Sequence, residues 1–500
     1  MPPTDLADYR RRAEQFIGAL EEEHYLHFSG QKDDCDSAAV YGAFPELFSR
    51  ATLDELNGVY PGVTDLTEKR RLAYLLTFMT EGYIGEQLKE SSDRIANAES
   101  SAAIEVGGEE IGYRYAAVVQ ANEADRERRR RIHRARLDVM SRDLNPLYDE
   151  LWRRAHAIAV DLGYSSYADC CSEIKAVDLS FFKAEMQAFL QDTEGVYQRS
   201  LDKLSRAKLG LPIEELEISD LPYLFRAPEY DAYFTAERLV PTLYETLAGM
   251  GIDLAGQPNI HMDTEVRQRK SPRAFCSPVR VPDELYLCVM PQGGQDDYQS
   301  LLHEAGHAEH FAHVSRDQPF EFRYLGDNSV TEGFAFIFDH LVYNRHWLER
   351  QLGYTDARDY IWFGYIGELY MIRRYIGKLI YEIELHEQNG SLDSLAQVYS
   401  RELGDATVLA VPPESYLTDV DSGFYVVNYL RAWMFEGAMR MILQSRHSRE
   451  WFRNPAAGDF LKQLWAVGQE FNSAKLLLKH GGGRLDADPL LFHIEGALGR

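Results

Sequence analysis

Apolar residues recur at helical spacing through most of this 500-residue chain, and this periodicity constrains the fold more than any other feature. Clear examples near the start are "TDLADYRRRAEQFIGALEEEHY" and "LTEKRRLAYLLTFMTEGYIGEQL". The residues from 327 to 480 keep the same spacing. With 45% apolar residues, the chain can bury a large core. We therefore predict a mainly α fold with a large helical body.

Two short segments interrupt the helical pattern and predict a small β element. In "AAIEVGGEEIGYRYAAVV", alternating residues flank Gly107 and Gly108, which indicates a hairpin. Residues 275–290, "FCSPVRVPDELYLCVM", are punctuated by prolines and predict extended chain. The part "ELYLCVM" is typical of a strand.

Charge and composition argue against two classes of partner. The net charge of −26 disfavours a nucleic-acid backbone or an anionic membrane as the main partner. Seven arginines lie between Arg126 and Arg136, but interleaved acids favour a salt-bridged helix face. No run approaches the roughly 18 apolar residues of a membrane span. Five cysteines without a CxxC pattern fit a reducing compartment, and the first residues lack the apolar core of a signal peptide. We expect a cytoplasmic protein.

The stretch "SLLHEAGHAEHFAHV" contains the pattern HExxH at His303, Glu304 and His307. Two histidines four residues apart stand on one face of a helix, so their ring nitrogens can converge on one zinc ion. Glu304 lies on the same turn, where it can reach a water on the metal without being a ligand. His310 is seven residues from His303, about 10 Å along the axis, and is expected to support the site or the fold.

A catalytic zinc ion usually takes a third protein ligand and leaves one position open. Five acids follow the histidine helix within the next 32 residues of the sequence. They are Asp317, Glu321, Asp327, Glu332 and Asp339. Glu332 is the best of them, because "DNS" can cap a second helix and the apolar run after it would bury that helix against the first. The alternative is that Glu332 only stabilises its helix, because a negative charge near a helix N-terminus interacts favourably with the helix dipole.

The segment "FCSPVRVPDELYLCVMPQGGQDDYQSLLHEAGHAEHF" resembles the active-site region of the thimet oligopeptidase and oligoendopeptidase F metallopeptidases. Those enzymes carry an acid pair before the first zinc histidine, here Asp296 and Asp297. Their third ligand is a glutamate 25 residues after the second histidine, and this count arrives at Glu332. The resemblance covers about residues 100–490 and is closer to the oligoendopeptidase F branch.

The resemblance implies a helical body with a deep substrate channel and the zinc at its floor, next to the hairpin and an edge strand. It implies one Zn²⁺ per chain and short peptides as substrates, hydrolysed with Glu304 as the general base. Residues 1–115 would form an N-terminal helical region and residues 116–500 the catalytic region, or the two would form one continuous clamshell body. "ELYLCVM" would then pair with the substrate backbone as an added strand.

One part of the chain departs from the family pattern. Family members place a histidine before an aromatic-rich helix late in the chain, and "YLTDVDSGFYVVNYLRAW" lacks it. Tyr425 and Tyr429 do match, and the resemblance makes one of them the donor to the developing oxyanion. The missing histidine leaves an alternative, a zinc-binding homologue that binds peptides but is catalytically weak or inactive. The aromatic pair can also be part of the core.

Overall fold

The computed structural model describes residues 5–267, 269–387, 392 and 394–499. In this part of the chain the fold is mainly α, as predicted, with two small sheets. The α-helices are α1 (Leu6–Phe28), α2 (Ser37–Ala43), α3 (Arg50–Val59), α4 (Leu66–Ser101), α5 (Ala116–Asn122), α6 (Arg126–Val139), α7 (Asn145–Asp161), α8 (Tyr167–Lys175), α9 (Leu179–Leu209), α10 (Leu221–Arg226), α11 (Ala236–Gly249), α12 (Gln295–Ala312), α13 (Phe320–Tyr324), α14 (Asn328–Asp339), α15 (Arg345–Leu352), α16 (Arg358–Glu387), α17 (Leu395–Thr407), α18 (Tyr425–His447), α19 (Pro455–Trp465), α20 (Ser473–Lys479) and α21 (Asp488–Leu498). The strands are β1 (Ala103–Val106), β2 (Glu109–Gly112), β3 (Ile260–Asp263), β4 (Phe275–Arg280) and β5 (Glu284–Cys288).

The chain divides into two compact units, each made of three segments. The first comprises Met1–Tyr83, Pro228–Ile361 and Asn428–His493. The second comprises Ile84–Ala227, Trp362–Val427 and Ile494–Arg500. The division into residues 1–115 and 116–500 stays a prediction. Among the residues that the structure describes, we find no helix with the length and hydropathy needed to cross a bilayer.

The second unit contains the predicted hairpin. Strands β1 and β2 pair in antiparallel register, with Val106 opposite Glu109. Gly107 and Gly108, which join them, have φ of +66° and +83°. A two-residue turn with positive φ at both positions matches the twist of a hairpin, and glycine adopts this conformation without strain. The "VGGE" sequence therefore fixes the position of the turn.

The arginine-rich helix α6 also lies in the second unit, and its charges are paired as predicted. Arg129 is 2% exposed and donates to Asp220, which is fully buried. Arg126 donates to the same carboxylate. Arg130 pairs with Glu217. These ion pairs account for the basic run within the fold, because the guanidinium groups neutralise acids of their own unit.

Asp220→Ala would leave the buried Arg129 without its charge partner, so we expect a loss of about 3–5 kcal/mol in unfolding free energy. Urea unfolding measures the loss, and Glu109→Ala in the exposed pair with Arg128 should cost only about 0–1 kcal/mol. Equal losses of unfolding free energy in the two variants would contradict the assignment of Arg129 and Asp220 as a buried ion pair that stabilises the fold.

The same ion pair has a pH dependence. Burial raises the pKa of Asp220, but hydrogen bonds from Arg126 and Arg129 outweigh this and lower it overall. The stabilisation is complete above the unfolded-state pKa of about 4, and it is lost as the pH falls through the folded-state value. Acidification through this window should therefore destabilise the Asp220→Ala variant less than the wild type.

The first unit holds a three-stranded sheet with the order β3-β5-β4. The strand predicted over "ELYLCVM" is confirmed as β5, but it is the middle strand, parallel to β3 and antiparallel to β4. Its backbone groups are therefore paired on both sides, and the expectation that it adds a substrate strand is wrong. The long apolar run explains the error, since a strand buried among neighbours needs apolar side chains on both faces. β3 and β4 are the edge strands.

Helices α12 and α14 pack closely against each other in the first unit. At Gly306 of α12 an added Cβ would lie 2.7 Å from the Cα of Ala335 and 2.9 Å from the carbonyl oxygen of Phe334. A side chain at this position would therefore collide with the backbone of α14. Asp327 caps α14 by accepting a hydrogen bond from the Ser329 amide, which confirms the helix start predicted from "DNS".

Gly306→Ala should destabilise the protein by about 1–3 kcal/mol, because the methyl group overpacks a backbone contact that cannot yield easily. Unfolding in urea, followed by far-UV circular dichroism, checks this. Gly58→Ala in α3 is the matched control, since an added Cβ there meets nothing within 4 Å. That change should be neutral or slightly stabilising, as alanine is the better helix former. A similar response of the two variants would contradict the close approach of the two helices.

Candidate metal centre

His303, Glu304 and His307 lie in the middle of α12. The helix buries Leu301, Leu302, Ala305 and Ala308, and this leaves the two histidines partly accessible one turn apart. Glu332 projects from the second turn of α14 and is 6% exposed. The close contact at Gly306 brings these side chains from the two helices together.

Three donor atoms of these residues form a small triangle. The Nε2 atoms of His303 and His307 lie 3.2 Å apart. Oε2 of Glu332 lies 3.4 Å from Nε2 of His303 and 3.7 Å from Nε2 of His307. Ligands of a tetrahedral ion at 2.0–2.1 Å are about 3.3 Å from one another, so these residues fit a metal of that size. Within the described part of the chain, no other three His, Cys, Asp or Glu residues converge in this way.

The other nitrogen of each ring is held by a residue of α14. Nδ1 of His303 lies 3.0 Å from Oδ2 of Asp339, and Nδ1 of His307 lies 2.8 Å from the hydroxyl of Thr331. When Nδ1 donates its hydrogen to either oxygen, the lone pair is on Nε2 and points into the triangle. Both rings therefore direct Nε2 into the triangle.

Burial and nearby charges shift the pKa values of these groups. Burial lowers the pKa of His307 to about 4, so its ring is neutral at pH 7. Burial also opposes protonation of His303, but its contacts with Asp339 and Glu332 raise its pKa. Burial raises the pKa of Glu304 to about 7. Carboxylates concentrated around two imidazoles make this region attractive to a cation.

Glu304 is fixed by the sheet rather than by the histidines. Its Oε2 accepts a hydrogen bond of 3.0 Å from the backbone N–H of Cys276 in β4. The carboxylate is therefore anchored at an edge strand beside the triangle. Sequence patterns did not reveal this contact, because a backbone donor leaves no trace in residue type.

The remaining acids have other roles. Asp317 lies in the turn after α12, fully buried Glu321 pairs with Arg10 and Arg71, and Asp327 pairs with Arg431. The candidates Asp317, Glu321 and Asp327 therefore lie outside the triangle.

The acid pair before the first histidine lies in the first turn of α12. Oδ2 of Asp297 accepts hydrogen bonds from the amides of Gln292 and Gly293, which fixes the loop before α12. Asp296 is exposed in the first turn of the same helix. The orienting contacts come instead from Asp339 and Thr331 on α14.

Two further histidines of the run are packed into the fold. His310 is fully buried, with its ring centroid 4.9 Å from that of Phe334, and burial lowers its pKa to about 3. His313 lies 5.4 Å from the ring of Trp465 and contacts Glu309. Both lie outside the donor triangle, in agreement with the helix geometry.

Tyr429 is a half-buried residue of α18 that belongs to the first unit, and its ring lies 6.3 Å from that of Phe336. Phe336 in turn lies 5.4 Å from the ring of His303 and stacks on Trp433. Phe336 therefore lies next to both Tyr429 and His303, a histidine of the donor triangle. Tyr425 is the first residue of α18 and belongs to the second unit, so its role stays a prediction.

No protein-family model matches this chain, and neither does any curated protein. Solved structures do match its fold. One is described as "a putative oligoendopeptidase F from Bacillus anthracis str. Ames", with a TM-score of 0.67 and 16% sequence identity. The match covers 97% of this chain and 88% of that chain. At this identity the likeness shows the mainly α fold, and the roles of residues must be argued from geometry.

If the triangle holds a zinc ion, Thr331→Val should weaken its binding by about 10–100-fold, because Nδ1 of His307 loses its acceptor while the shape of the side chain is kept. Thr331→Ser is the matched control and should retain near-normal affinity. Competition with a chromogenic chelator measures the dissociation constant. Unchanged affinity in the valine variant would refute the orienting role of this hydroxyl.

Proposed function

We propose that this chain is a zinc-dependent peptidase of the oligoendopeptidase F type, with one zinc ion held by His303, His307 and Glu332. The observation that carries the proposal is the donor triangle with Glu304 beside it. The fold likeness to a structure described as "a putative oligoendopeptidase F" supports it independently. Two imidazoles and one carboxylate, with room for a fourth ligand, are typical of catalytic zinc.

The zinc ion would polarise the peptide carbonyl and lower the pKa of a bound water toward about 7. Glu304 is the general base in this proposal. Its carboxylate takes a proton from the attacking water as the oxygen bonds to the carbonyl carbon, and delivers that proton to the leaving nitrogen as the C–N bond breaks. The products are a carboxylic acid and an amine, which ionise to a carboxylate and an ammonium group. The Cys276 N–H keeps the carboxylate in place between these two transfers.

A tyrosine hydroxyl would stabilise negative charge on the carbonyl oxygen. Tyr429 and Tyr425 are the candidates, and the contact of Tyr429 with Phe336 favours Tyr429. A preorganised donor of this kind contributes about 10²–10³ in rate. The alternative remains a zinc-loaded but weak or inactive peptide-binding protein, motivated by the absent late histidine.

Strand β4 is the best candidate for pairing with the substrate backbone. It is an edge strand, and it carries Cys276 beside Glu304. Main-chain pairing along such an edge gives affinity with little sequence preference, which suits an enzyme for varied short peptides. Helix α1 limits the part of this edge with which a peptide could pair, because Gly18 packs against the carbonyl oxygen of Val279.

Glu304→Gln should lower kcat for a mixed quenched-fluorescent peptide library by about 10²–10⁴-fold, because glutamine cannot accept the proton. Zinc content, measured by atomic absorption, should stay near one equivalent in both proteins. Cleavage by wild type alone supports the peptidase. If the wild-type protein carries zinc but cleaves no peptide that the Glu304→Gln variant leaves intact, the inactive peptide-binding alternative holds. If neither binds zinc, the metal assignment fails.

A further inference from the structure

Helix α1 has one face that packs against the sheet and α13 of the first unit. Residues of this face are separated by four, seven and three positions along the helix, and each contacts a residue of these elements. The pairs are Glu14–Arg323, Gly18–Val279, Tyr25–Tyr286 and Phe28–Phe275. Because Gly18 lies at Val279 and Phe28 at Phe275, the helix runs along β4 in the opposite direction.

Glu21 lies within this face, between Gly18 and Tyr25 by helical position. Its side chain is half-buried, and among the described residues it makes no hydrogen bond or ion pair. Burying a carboxylate without a partner is costly, and packing alone would favour an apolar residue here. The neighbouring acid Glu22 is exposed and carries no such cost.

The position of Glu21 brings it toward the candidate centre. The α1 face follows β4 from Val279 to Phe275, and this span includes Cys276, whose N–H holds Glu304. Burial raises the pKa of the Cys276 thiol, and the carboxylates of Glu304 and Glu21 both raise it further. The two carboxylates therefore act on the same residue of the edge strand.

We propose that Glu21 determines substrate specificity by binding a positively charged group of the peptide, an ammonium or a guanidinium, beside strand β4. The inference rests on the proposed peptidase function. A cationic group would provide the partner that the half-buried carboxylate lacks within the fold. Charge-assisted hydrogen bonds in a partly desolvated site favour such a ligand over a neutral one by about tenfold or more.

Glu21→Gln tests the proposal in the zinc-loaded, full-length protein, with exposed Glu22→Gln as the matched control. The substrates are quenched-fluorescent peptides with one lysine moved along an otherwise uncharged sequence. Each is made with a free and an acetylated N-terminus. We expect Glu21→Gln to raise KM about tenfold for the preferred cationic peptide while kcat stays constant. KM for the uncharged acetylated parent should change little, and Glu22→Gln should leave both unchanged.

The peptide set also identifies the source of the charge. A preference lost on acetylation points to the α-ammonium group, and a preference that follows the lysine position points to a side chain. Either result supports the proposal. Equal effects of Glu21→Gln on charged and uncharged peptides, or equal effects of the two variants, would overturn it.

A binding measurement separates this inference from the peptidase proposal. Zinc-loaded Glu304→Gln and Glu304→Gln/Glu21→Gln proteins are compared for binding of the same peptides by fluorescence anisotropy. If the wild type cleaves nothing, the peptidase proposal fails, and this comparison still decides the role of Glu21. Weaker binding of cationic peptides alone in the double variant supports the inference, and identical binding refutes it.

Discussion

Two helix backbones come into direct contact where Gly306 of α12 meets Ala335 of α14, and the donor triangle depends on that contact. His303 and His307 lie on either side of Gly306, and Glu332 lies one turn before Ala335. The donor atoms are separated by 3.2–3.7 Å, so an increase of one ångström in helix spacing would take the carboxylate away from the two nitrogens. The glycine of the HEAGH sequence therefore has a geometric role as large as that of the histidines.

Helix α14 contributes more to the centre than the carboxylate of Glu332. Thr331, Glu332 and Asp339 all reach the histidines of α12, two of them through Nδ1 and one through Nε2. On the other side of α12, strand β4 holds Glu304 through a backbone amide. The chemistry proposed for this site is thus distributed over three elements, and α12 lies between α14 and β4 and packs against both.

Much of this arrangement follows from local sequence. Helical periodicity, the turn glycines Gly107 and Gly108, and the four-residue spacing of His303 and His307 depend on neighbours in the chain. The contacts of Asp339 and Thr331 do not, because they join residues 36 and 24 positions apart through tertiary packing. Strand order also depends on tertiary packing. The segment "ELYLCVM" predicts that β5 is a strand, but it does not determine which strands pair with β5.

The hydrogen bond between His303 and Asp339 also sets the electrostatic balance of the centre. Glu332 and Asp339 carry one negative charge each, and the two imidazoles are neutral as ligands. A divalent ion would cancel these charges, whereas a monovalent ion would leave an excess in a poorly solvated place. Glu304 adds one further negative charge beside the ion. With a divalent ion bound, the assembly would carry one net negative charge. A proton moved from a water to Glu304 would shift that charge from the carboxylate to the water oxygen beside the ion, without changing the total.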